Sequence, residues 1–63
     1  SGTMQIIREC RMRAAILIGL AKDAPELENQ LVYVAEKWLT LAIIAEQLSS
    51  GADRARHKLF ASN

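Results

Sequence analysis

Apolar residues recur along this chain in steps of three and four over two long stretches, separated by a short polar break. In the first stretch Ile7, Cys10, Ala14, Leu17 and Ala21 mark one face of an α-helix. This predicts a first helix over about residues 4–22, with no proline inside it and Gly19 as its one weak point. The second stretch is stricter: Leu27, Leu31, Val34, Trp38, Leu41, Ala45 and Leu48 alternate steps of four and three, the pattern of a left-handed coiled-coil or bundle seam. It predicts a second helix over about residues 25–49. Between them, Asp23 can cap the free amides of the new first turn, with Glu26 three residues on as in a capping box. Pro25 is tolerated there because its missing N–H would have had no partner. Asp23, Glu26 and Glu28 also set negative charge at the positive end of the second helix dipole.

Folding the chain back on itself at Asp23-Ala24 lays the two seams together as an antiparallel hairpin. The expected layers are Ala21 with Leu27, Leu17 with Leu31, Ala14 with Val34, Cys10 with Trp38, and Ile7 with Leu41. Large residues face small ones in several layers, including the one that houses the only Trp, as interdigitated packing prefers. The candidate hairpin core is therefore Ile7, Cys10, Ala14, Leu17, Leu27, Leu31, Val34, Trp38 and Leu41. Charge favours the same pairing. The first helix sums to +3 and the segment from Asp23 to Leu48 to −4, although exposed pairs contribute only about 0 to 1 kcal/mol each.

One seam does not use up the apolar residues. Ile6, Met12, Ile16, Leu20, Val32, Leu39, Ile43 and Ile44 lie off it, and the runs Ala14 to Ala21 and Trp38 to Ala45 are apolar on more than one helical face. Neither run is long enough to span a membrane. A chain of 63 residues is also in the size range where a single core is marginal and oligomerisation often completes it. The expectation is a homo-oligomer, a twofold dimer forming a four-helix bundle, with Ile16, Leu20, Leu39, Ile43 and Ile44 at the interface. An unidentified protein partner for that face is the other option.

The tail reads two ways. Ser49-Ser50-Gly51 can stop the second helix, with Ser50 and Asp53 opening a short third helix over about residues 52–60 that returns Leu59 and Phe60 to Ala45 and Leu48. Ala52, Ala55 and Leu59 also continue the heptad without a slip, as one long helix would. The break is the reading adopted. Ser1-Gly2-Thr3 ahead of Met4 reads as the remnant of an expression tag, leaving residues 4–63 as a single helical domain.

Composition narrows the function more than it defines it. With 51% apolar and 24% charged residues the chain is globular, and a net charge of +1 argues against a dedicated polyanion binder. Cys10 is the only cysteine, so an internal disulfide is impossible and a reducing cytoplasm fits best. As a seam residue it reads as a small hydrophobe, and His57, in a charged tail with Asp53 four residues earlier, as a surface group. Glu9, Glu36 and Glu46 lack the Glu-x-x-His spacing of a di-metal bundle. No catalytic, cofactor-binding or metal-binding residue is assigned, and the chain is read as no enzyme. The arginines Arg8, Arg11 and Arg13, or Arg54 and Arg56 with Lys58, supply the alternative, a dimeric nucleic-acid-binding regulator.

The pattern Glu9-Cys10-Arg11, then Pro25-Glu26-Leu27, then Ala35-Glu36-Lys37-Trp38 with Leu41-Ala42 and Ala45-Glu46 following, resembles a widespread group of short bacterial proteins read as helical hairpins. The likeness covers roughly Arg8 to Glu46. It implies a hairpin fold and a bacterial cytoplasmic setting, and it brings no activity and no catalytic residues. Members of that group usually carry charged residues where this chain has Leu39, Thr40, Ile43 and Ile44, a departure that favours an extra interface.

Overall fold

The computed structural model describes residues 2–61, and all the regular structure in them is helical. Helix α1 (Gly2–Asp23) is followed by a single 3-10 turn (Pro25–Leu27) and by α2 (Glu28–Ala61), and α1 and α2 pack against each other. The molecule is a rod with extents of 59 × 18 × 10 Å. That length is set by the 34 residues of α2, which span about 51 Å at 1.5 Å per residue.

The reversal between the helices is a backbone effect. Ala24 precedes Pro25, and the clash between the proline ring and the preceding residue disfavours the α region, so Ala24 sits at φ −133°, ψ 75° and α1 stops. Its N–H donates to the Leu20 carbonyl at 3.0 Å, and the Leu27 N–H donates to the Ala24 carbonyl at 2.9 Å, closing the turn. The expected capping box is not formed. Asp23 is the last residue of α1, and the residue in the capping position is Ala24, whose side chain has no oxygen to offer.

The tail also departs from expectation. α2 runs unbroken through Gly51, which has no positive φ, so there is no third helix over 52–60. A single glycine costs a helix only about 1 kcal/mol relative to Ala, less than the nucleation of a separate short helix. The straight backbone carries positions 59 and 60 along the rod away from Ala45 and Leu48 rather than back to them, and the side chains of Leu59 and Phe60 lie outside the described residues.

The seam between the helices is built from small side chains. Ile7, Cys10, Ala14 and Ala21 of α1 are buried, as are Ala35 and Ala42 of α2, which are 0% and 2% exposed. Leu17, Leu31, Trp38 and Ala45 are half-buried beside them. Ile7, Cys10 and Ala42 form one cluster, with Trp38 and Ala45 packed against it, so Cys10 and Trp38 do share a neighbourhood. Three of the expected core residues are elsewhere: Leu27, Val34 and Leu41 are 47%, 43% and 50% exposed. The layers of Ala14 with Val34 and Ile7 with Leu41 are thus replaced. α2 is turned so that Ala35 and Ala42 join Leu31, Trp38 and Ala45 against α1 while Val34 and Leu41 point outward. Alanines permit the closer approach of the two backbones, which raises packing density along the whole seam.

Candidate interaction faces

Two cross-helix contacts define the flanks of the rod. On one side the Arg13 guanidinium lies over the Trp38 ring, 5.3 Å from its centroid, and Arg13, Ile16, Leu17 and Trp38 line a shallow depression. On the other side Arg11 Nη2 donates to Glu46 Oε1 at 2.8 Å, an exposed ion pair worth about 0 to 1 kcal/mol. Residues seven apart lie nearly above one another on a helix, so each contact identifies the rest of its flank.

The Trp38 flank is largely apolar, with Arg13 and Glu9 as its charged members. Ile6 and Leu20 stand seven residues either side of Arg13, and all three positions are exposed. Across the seam Val34 and Leu41 bracket Trp38, and Leu27 and Leu48 extend the same row by a heptad at each end. Leu48, at 70% exposed, is the most open large apolar side chain among the described residues. The Arg11 flank is mixed. Met4 and Ile18 stand beside Arg11, and Val32, Leu39 and Ile43 near Glu46, so its apolar groups are interrupted by an ion pair and by Lys22 and Glu36. The back of α2 is polar in its detail: Lys37 Nζ sits 4.8 Å from the Tyr33 ring centroid, and Thr40 Oγ1 donates to the Glu36 carbonyl at 2.9 Å.

The five residues expected at an oligomer interface are all exposed, but they do not form one patch. Ile16 and Leu20 belong to the Trp38 flank and Leu39 and Ile43 to the Arg11 flank, while Ile44 lies round the back of α2 from Trp38. Leu27, Val34 and Leu41, expected in the core from their spacing, instead join Leu48 at the surface, because Ala35 and Ala42 take the places against α1.

The groups with chemical potential are dispersed. Cys10 is a buried free thiol in the seam, and His57 is exposed. Cys10 clusters with Ala42, and His57 lies fifteen residues farther along α2, about 22 Å away along the axis. Among the described residues there is no group of His, Cys, Asp and Glu that could hold a metal ion. The arginines of α1 do not combine, because Arg11 and Arg13 occupy opposite flanks and each has a partner within the hairpin. Arg54, His57 and Lys58 line an open depression with Gly51 and Ala55, formed by one helix alone, and the side chain of Arg56 lies outside the described residues. Among the described residues no helix is long and apolar enough to cross a membrane. Comparison with protein-family models, curated proteins and solved structures gives no match for this chain.

Proposed function

We propose that this chain is a small non-enzymatic structural or regulatory module that works by self-association, a homodimer completing a four-helix bundle. The observation that carries this reading is surface area. A folded monomer of 7.0 kDa presents about 4,000 Å² by the size scaling of single-domain proteins, whereas this chain presents 5225 Å². The excess, about 1,200 Å², is larger than the roughly 800 Å² that each partner buries in a standard-sized interface. Much of the open surface is apolar, since among the described residues fourteen large apolar side chains are each more than a third exposed.

The setting that goes with this reading is the bacterial cytoplasm, supported by the likeness of the Trp38 stretch and by the unpaired Cys10. Nucleic-acid binding has less support, because two of the three arginines on α1 are engaged within the hairpin, with Glu46 and with Trp38. The test is solution mass by light scattering, with helicity followed by circular dichroism, from about 1 to 100 µM. The expected result is twice the chain mass, with melting temperature rising as concentration rises. A fully helical, cooperatively melting monomer throughout that range overturns the reading.

A further inference from the structure

We infer that the occupant of the Trp38 flank is a second copy of this chain docked antiparallel, α2 against α2, about a twofold axis between Lys37 and Trp38. The inference rests on the self-association proposed above and specifies which face and which orientation it uses.

Three observations lead to it. First, Val34, Leu41 and Leu48 of α2, with Leu27 in the turn just before it, form a ladder of large apolar side chains at seven-residue intervals that stay 43% or more exposed in the single hairpin. A heptad row of this kind matches another helix rather than a flat or irregular surface. Second, the row is symmetric about the point between Lys37 and Trp38. An antiparallel copy sets Leu27 opposite Leu48 of the second copy and Val34 opposite Leu41, so one patch satisfies itself as a twofold interface demands. Third, the two ends of the rod differ in charge. Lys22, Asp23, Glu26 and Glu28 at the turn sum to −2, and Asp53, Arg54, Arg56 and Lys58 near the end of α2 sum to +2. Antiparallel docking in this register sets Glu28 and Glu26 opposite Gln47 and Ser49 of the second copy, with Arg54 five residues farther on, so ends of unlike charge are the nearest neighbours, whereas parallel docking sets like charges side by side. The opposite flank is the weaker candidate, because both charges of the Arg11–Glu46 pair cross it, whereas the Trp38 flank carries the Arg13 guanidinium already stacked on the Trp38 ring.

Solution mass, measured on full-length chains, tests the face. Leu41→Glu and Leu48→Glu each put a carboxylate into the ladder at a position exposed in the single hairpin, and each is expected to weaken dimerisation at least a hundredfold. Ile43→Glu, on the other flank, is expected to change it less than threefold. Orientation is tested by cysteine cross-linking with a short bis-maleimide in a Cys10→Ala background. Lys37→Cys, at the axis, is expected to give at least ten times more covalent dimer than Gln30→Cys, which lies about 22 Å from its symmetry mate along the antiparallel pair. A dimer that survives both ladder substitutions and is lost with Ile43→Glu overturns the face while leaving self-association standing. Equal cross-linking at 30 and 37 overturns the antiparallel orientation, and a wild-type folded monomer overturns this inference together with the reading beneath it.

Discussion

The inner and outer stripes of α2 differ in side-chain size more than in hydrophobicity. The stripe facing α1 is Ala35, Ala42 and Ala45 with Leu31 and Trp38 as its large members, and the stripe beside it is Val34, Leu41 and Leu48, continued by Leu27 in the turn. The first brings two backbones close and gains from many short contacts along the whole length of α1. The second leaves side chains standing well clear of the hairpin, where they can interdigitate with something that has its own ridges. The contrast teaches that burial within one hairpin and apolar content are separate signals. The residues with the most surface to lose are the ones the hairpin leaves open.

The sharpest way to break the comparison is to make the inner stripe resemble the outer one. Ala42→Leu inserts three heavy atoms where Ile7 and Cys10 leave no room, and overpacking of this kind is expected to destabilise the fold by about 1 to 3 kcal/mol in urea unfolding. Unchanged stability would mean that the helices can separate or rotate freely, and the distinction between stripes would fail.

A smaller effect, of opposite sign, probes the part of α2 that carries neither stripe at full strength. An added Cβ at Gly51 meets nothing within 4 Å, and the residue has no positive φ. Gly51→Ala is therefore expected to stabilise the chain by about 1 kcal/mol, measured by thermal and denaturant melting. A loss of stability would indicate a bend at Gly51 and a tail that leaves the line of the ladder.

The smallest effect concerns the Arg11 flank. A double-mutant cycle with Arg11→Ala and Glu46→Ala is expected to give a coupling of no more than about 1 kcal/mol, decreasing with added salt, since both side chains are about half exposed. A coupling of several kcal/mol would mean that this flank is buried in solution, which would exchange the roles assigned to the two faces.

Much of the architecture was legible in the sequence. The three-and-four periodicity of Ile7, Cys10, Ala14 and Ala21 located the buried face of α1, and Pro25 located the reversal. The rotation of α2 was not legible by the same means. Periodicity weights a position by the hydrophobicity of its side chain, so Val34 and Leu41 outweighed Ala35 and Ala42, although a small residue can be the better one at a close helix contact. The capping signal failed for a related reason. Asp23 has the right chemistry for a cap, but the steric demand of Pro25 acts on Ala24 and fixes the boundary one residue later. At Gly51 a turn residue was given more weight than the heptad that runs through it, and a cost of about 1 kcal/mol did not outweigh the continuing helix.

The placement of the turn has a kinetic consequence. The loop to be closed between α1 and α2 is shortest next to Ala24 and Pro25, and loop-closure entropy favours pairing that starts there and extends along the alanine seam toward Ile7 and Ala42. Helical topologies dominated by such local contacts fold in microseconds to milliseconds at a rate independent of concentration. The docking of subunits is a second-order event on a scale of milliseconds to minutes. With the assembly proposed here, every newly made chain passes through an interval as a closed hairpin whose ladder is still bare, and the length of that interval is inversely proportional to how many copies are present to meet it.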